Sequence, residues 1–189
     1  APGAAPWSRV SAGDADVLTL YPAQAQARAL WIGSPGQSPQ GPALPLGHWL
    51  AAEVLSGVAD VQQATFEAFV PQMLNHESVG GVNFKKGCYP GQEVVARSQF
   101  RGTLKRRTFL LMGEVPMQAG QEVFHSGDAT QPCGLVAQAA SVTLAGTECH
   151  LALAALQLSA VQDGSLHLAQ ATGPSLRLLP LPYALLEDV

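Results

Sequence analysis

Cys88 stands in the run Asn83-Phe84-Lys85-Lys86-Gly87-Cys88-Tyr89-Pro90-Gly91-Gln92-Glu93-Val94-Val95-Ala96-Arg97, where residue types and spacing could do chemistry. Seven of the chain's 10 Lys and Arg fall between residues 85 and 107: Lys85, Lys86, Arg97, Arg101, Lys105, Arg106 and Arg107. Only Glu93 opposes them within that segment, so it carries about +6 while the rest of a chain of net charge −4 carries about −10. Cysteine reacts as the thiolate, and cations or a helix N-terminus favour that form. Glycines on both sides let the backbone approach a ligand and turn its N–H groups toward an anion. The run therefore reads as a ligand-contacting or reactive thiol in an electropositive loop. The plain alternative is a small buried hydrophobe in a tight turn beside a solvated basic face, since free cysteine is often buried. Gln92 and Glu93 fit either a site or an ordinary helix start.

The elements that must position this loop follow from pattern. Residues 16–21 and 27–32 read as two strands of a hairpin around a Pro22-centred turn. Residues 33–45 hold Pro35, Pro39, Pro42 and Pro45 and read as a surface loop. Leu46, Trp49, Leu50, Val54 and Leu55 recur at helical spacing, predicting an amphipathic helix over 46–56 that ends near Gly57. A short helix is expected over 64–70 with Phe66, Phe69 and Val70 on one face, then a turn at Pro71. The glycine- and proline-rich stretch 80–93 reads as a loop, and 92–97 as the start of a short helix. After residue 102 strand-like runs recur at 104–112, 121–125, 133–139, 148–156, 165–169 and 175–179, the spacing of a small all-β barrel or sandwich. Lys105-Arg106-Arg107 is expected to be mostly solvent-facing at the start of a strand. Trp49, His48 and Tyr89 read as packing residues. The domain boundary is expected near residue 101, giving an α+β portion over 1–101 and a β-portion over 102–189.

Composition narrows the function classes. The chain of 189 residues is 47% hydrophobic and only 13% charged, so a large core is available and a general nucleic-acid binder is disfavoured. Cys88, Cys133 and Cys149 form no C-x-x-C pair, which argues against a zinc ribbon or disulfide framework and for reduced thiols in a cytoplasm. The spacing of Cys133 and of adjacent Cys149-His150 argues against a cluster site. No apolar run approaches a membrane span, and none has the make-up of a signal peptide. The opening at Ala1 without Met reads as a piece that begins inside a longer protein. Phosphate-loop, dinucleotide and G-x-S-x-G motifs are absent from the sequence.

Lys85 to Glu93 closely resembles the K-G-C-Y-x-G-Q-E signature of YgfZ-type folate-binding proteins, relatives of the glycine-cleavage T-protein (GcvT, an aminomethyltransferase). Phe69-Val70-Pro71-Gln72-Met73-Leu74-Asn75 is similar to the family's F-[IV]-P-Q-x-x-N run, and Gly80-Gly81-Val82-Asn83-Phe84 to its G-G-[IV]-S-F lead-in. Val95-Ala96-Arg97, Lys105-Arg106-Arg107 and Leu179-Pro180-Leu181-Pro182-Tyr183 continue the likeness, which spans 69–183. The resemblance implies a partial ferredoxin-like, GcvT-like folate-binding domain over 1–101, followed by an antiparallel β-barrel over 102–189. It also implies tetrahydrofolate or a derivative as cofactor, and iron–sulfur client or assembly proteins as partners, tRNA-modifying enzymes among the clients. Direct nucleic-acid contact and membrane association are not implied. Cys88 becomes the expected functional thiol, with Lys86, Tyr89, Gly91, Gln92, Glu93 and Arg97 as expected folate-site residues. The fold relationship also permits a folate-dependent aminomethyl or one-carbon transferase, although Cys-Tyr in the loop belongs to the YgfZ branch. Two departures stand out. Most of the family's N-terminal region, one wall of the folate channel, is missing from this chain. Leu55 also replaces a carboxylate that lies near the pterin in the T-protein relatives. A third reading, an RNA-binding module on residues 85–107, lacks a base-stacking platform, because aromatic residues there are sparse.

Overall fold

The computed structural model describes residues 5–102, 104–163 and 165–186. It is α+β: the described residues form a closed, six-stranded antiparallel barrel, a three-stranded antiparallel meander and two α-helices, the first of which packs on the barrel. The barrel strands are β4 (Arg106–Gly113), β5 (Glu122–His125), β6 (Gly134–Leu144), β7 (Thr147–Gln157), β8 (Leu166–Leu168) and β9 (Ser175–Leu179). They close in the order β4-β7-β6-β5-β8-β9, with β9 returning to β4. Closure removes sheet edges, which would otherwise be templates for aggregation. The barrel alternative is thus the one the chain adopts, and the expected strands recur with β6 extended to Leu144 and β4 starting at Arg106.

Alternation along the strands divides the buried residues into two sets. Leu111, Val123, Val136, Ala152, Ala154, Leu156 and Leu166 fill the barrel interior, where the small alanines leave room for the leucines facing them. Leu110, Ala137, Leu151 and Leu153 point outward, yet are equally buried. What covers them is the helix α1 (Leu46–Leu55), through Ala51 and Val54, together with Ala59 and Leu74. Residues on both sides of residue 101 therefore share one hydrophobic cluster. β7 is covered on both faces, which explains its unbroken buried run from His150 to Leu156.

The bulge between Val136 and Gln138 lets two successive residues, Ala137 and Gln138, face this outer layer. The Gln138 side-chain carbonyl then accepts a hydrogen bond from Asp60 N–H at 2.9 Å and ties the 57–60 loop to the barrel.

Helix α1 forms where its periodicity predicts, but its buried face differs. Leu46 is 70% exposed and Leu50 44%, while Ala51 and Val54 are buried. Small residues let the helix sit close to β6, with Gly47 approaching the Ser141 carbonyl. The larger leucines on the opposite side do not fit that narrow contact. His48 is exposed rather than packed, and Trp49 is half-buried, its ring lying 4.9 Å from the Arg28 guanidinium. Gly57 ends the helix at φ +73°, and a Cβ there would meet the Tyr183 ring at 2.8 Å, so no other residue fits without movement.

The meander consists of β1 (Arg9–Ala12), β2 (Ala15–Ala23) and β3 (Gln26–Ile32). The hairpin turn lies at Gln24-Ala25, with Gln24 at φ +54°, not at Pro22. Pro22 is inside β2, within the register irregularity between Leu20 and Ala23, where a missing N–H does least harm. The meander is held by few contacts. Trp7 and Tyr183 flank Tyr21 edge-on at 5.7 and 5.6 Å, Trp7 Nε1 donates to Val79 O at 2.9 Å, and Arg28 pairs with Glu53 of α1.

The expected helix over 64–70 is replaced by a 3₁₀ turn at Gln63–Thr65. Glu67 takes φ +59°, which breaks helical geometry, and Phe66 is exposed. Pro71–Leu74 form a second 3₁₀ turn closed by Asn75 in the left-handed region at φ +58°. Asn tolerates that conformation better than most residues.

Candidate functional site

The site is built on a ladder of buried polar side chains that runs from 72 to 77. Gln72 is fully buried; its Nε2 donates to Val95 O at 2.7 Å and contacts Gln99 Oε1 at 3.5 Å. Both partners belong to the helix α2 (Gln92–Phe100), which starts where the sequence pattern predicts and runs on to Phe100. Gln72 thus fixes α2, whose N-terminus carries the Cys88 loop. Asn75, also fully buried, clamps β4 from both sides: Nδ2 donates to Thr108 O at 2.7 Å and Oδ1 accepts from Thr108 N–H at 3.3 Å. Glu77 forms a buried ion pair with Arg107 of β4. Arg107 also donates to Leu186 O at 2.6 Å. The expectation that Lys105-Arg106-Arg107 is mostly solvent-facing is therefore corrected. Lys105 is exposed and Arg106 half-buried, but Arg107 turns inward to a carboxylate thirty residues earlier. Sequence reading missed these supports. Their signal was present, however, as Gln72 and Asn75 punctuating the otherwise apolar run 69–75.

Tyr183 completes the frame. Its hydroxyl donates to Gly57 O at 2.6 Å and lies 3.5 Å from Asn75 Nδ2. Burial pushes the phenol up to about 12. The sign of the linkage is clear. The folded value lies above the unfolded one, so the stabilisation is complete below about pH 10 and is lost as pH rises through about 12. Chemical denaturation between pH 9 and 12 should show stability falling by about 2–3 kcal/mol from this group. Tyr183→Phe should be less stable by about 1–2 kcal/mol at pH 7 and should lose that alkaline component. A Phe variant with the same alkaline slope would assign it to other groups.

On this frame the loop that carries Cys88 is exposed. Cys88 is exposed in the loop that precedes α2, so the reading of it as a small buried hydrophobe does not hold. Gly91 caps α2 at φ +80°, a backbone state costing most residues about 1–2 kcal/mol. The Gln92 side-chain carbonyl accepts from Tyr89 N–H at 3.2 Å and closes the loop on the helix. Lys86 Nζ stands 4.6 Å over the Tyr89 ring, so one face of that ring holds a cation. Asn83 Oδ1 accepts from Lys85 N–H at 2.8 Å. Lys86, Cys88, Tyr89, Gly91 and Gln92 are thus one local unit.

Glu93 and Arg97 pair at 2.6 Å one turn apart on the exposed side of α2. Such an exposed pair adds only about 0.3–0.5 kcal/mol. Together with Ala96, Phe100 and Arg101 they line an open cleft of about 400 Å³. Phe100 is exposed and meets Phe84 edge-on at 5.3 Å. The cleft therefore offers a carboxylate acceptor, two guanidinium donors and an aromatic face. A reduced folate presents a flat donor-rich pterin and a carboxylate tail. The residues fit that group in kind: Glu93 can accept from pterin N–H groups, Phe100 can stack, and Arg97 and Arg101 can hold carboxylates. Leu55 packs against the outer barrel layer.

The other cysteines are elsewhere. Cys133 lies in the barrel interior, where burial pushes its thiol up, and Cys149 lies at the outer layer. No group of three His, Cys, Asp or Glu among the described residues is placed to hold a metal ion. Among the described residues no helix is long and apolar enough to cross a membrane. No protein-family model matches the chain.

Proposed function

We propose that this chain is part of a folate-binding accessory protein of the YgfZ type, which supports assembly or repair of iron–sulfur proteins, tRNA-modifying enzymes among them. In this reading residues 1–101 are the partial ferredoxin-like, GcvT-like folate unit and the barrel is the C-terminal domain. The observation that carries it is the Lys85–Glu93 loop itself. It presents an exposed Cys88 at the head of a helix that buried Gln72 holds from beneath.

Glu93, Arg97, Arg101 and Phe100 would hold tetrahydrofolate, which brings a one-carbon carrier when bound. Lys86 and Tyr89 form the adjoining wall, and Gly91 and Gln92 keep the loop shape that presents the thiol. Cys88 would meet a partner, such as a cluster-carrying or assembly protein, from the solvent side. Binding and presentation require no catalytic base, and an accessory role needs none.

Calorimetric titration of the intact protein with tetrahydrofolate tests the ligand. Arg97→Gln should weaken binding by about tenfold, the worth of one charge-assisted hydrogen bond. Iron–sulfur enzyme activity in a deletion strain carrying the gene tests the role. The proposal fails if the intact protein neither binds tetrahydrofolate nor restores that activity.

A further inference from the structure

Two adjoining clefts flank the segment Leu104-Lys105-Arg106 where α2 ends and the barrel begins. One, of about 330 Å³, has Val70 and Met73 on its far wall. The other, of about 470 Å³, has Leu158 and Ser159 there. Both fall within the usual size range of small-ligand pockets. The α2 residue that borders the first of them, Ser98, lies on a different stripe of the helix from Glu93, Arg97 and Phe100.

The described residues give this groove positive charge with no paired carboxylate. Strand alternation sends Arg107 inward to Glu77 and Arg106 to the opposite side. Among the described residues no carboxylate lies within ion-pair distance of Lys105 or Arg106. Arg106 is nevertheless half-buried. A half-buried arginine beside an apolar trough, with no acidic partner among the described residues, is open to an anion. The backbone that presents it is held firmly: Leu158 N–H donates to Lys105 O at 3.0 Å, and Arg106 pairs with Gln157 in the β4–β7 ladder. The apolar walls Val70, Met73, Leu104 and Leu158 would not suit a fully hydrated ion by itself.

From this geometry we infer that the groove binds a small amphipathic organic anion. Its apolar body lies on Val70, Met73, Leu104 and Leu158, and its carboxylate, phosphate or sulfonate head meets Arg106 and Lys105. This site is separate from the Cys88 face and does not rest on the folate reading.

The test uses 8-anilinonaphthalene-1-sulfonate as probe, titrated by fluorescence into the intact chain, with amide chemical shifts followed in parallel. One saturable equivalent is expected, with shifts centred on residues 104–106 and 157–159. Lys105→Gln with Arg106→Gln should weaken it by about tenfold or more. Lys105→Gln alone, at an exposed position that cannot endanger the fold, should weaken it by about threefold. The uncharged analogue N-phenyl-1-naphthylamine should bind about tenfold more weakly. Equal affinity in wild type and both variants, or shifts centred on Phe84 and Phe100 instead, would overturn the inference.

Discussion

Arg107→Met should lower the unfolding free energy by about 3–5 kcal/mol, a large share of the stability of an ordinary domain. Glu77 and Arg107 are both buried, and each is the other's only charge partner among the described residues. Removing the cation leaves a carboxylate in the interior with nothing to balance it, and the loss of a hydrogen bond to Leu186 O adds to the cost. The effect should reach the Cys88 loop. Glu77 lies in the same short segment as Gln72 and Asn75, which anchor α2 and β4. Urea unfolding at pH 7 measures this as a lower midpoint at an unchanged slope. The double change Glu77→Leu with Arg107→Met should recover most of the loss, because apolar replacement of a complete buried pair is often near neutral. A single variant within about 1 kcal/mol of wild type would show that the pair contributes orientation only.

Cys88→Ala should reverse that pattern, with stability retained and function lost. The side chain is exposed, and exposed substitutions usually stay within about 0.5 kcal/mol. If the thiol is the working group, iron–sulfur enzyme activity in the complemented deletion strain should fall to that of the strain without the gene. Cys88→Ser, which keeps size and hydrogen bonding but not the thiolate, should fail as Ala does. Full complementation by either variant would remove the thiol from the proposal and leave the folate cleft to be judged by itself. Alkylation of Cys88 with and without tetrahydrofolate separates two further cases. Protection by folate would set the thiol beside the ligand, and unchanged labelling would make it a group that meets a partner protein.

These two variants also mark what could be read before folding. The sequence alone determined the strand spacing after residue 102, the helix over 46–56, the irregular stretches at 33–45 and 80–93, and the loop that carries Cys88. All of these rest on local signals: alternation, helical period, proline and glycine. It did not determine which face of α1 is buried. Leu46 and Leu50 are apolar at the right spacing, yet the close approach of Gly47 and Ala51 to the barrel turns them to solvent. Nor did it determine the fate of three successive cations, of which only Arg107 is drawn inward. Glu77, the reason for that, is distant in sequence and meets it only after β4 has docked on the 71–80 segment. Tertiary structure likewise made Gln72 the support of α2 and Tyr183 the lock on Gly57. A local pattern fixes which backbone conformation is cheap. Which polar groups lose water, and which partner repays them, depends on surfaces that chain closure brings together.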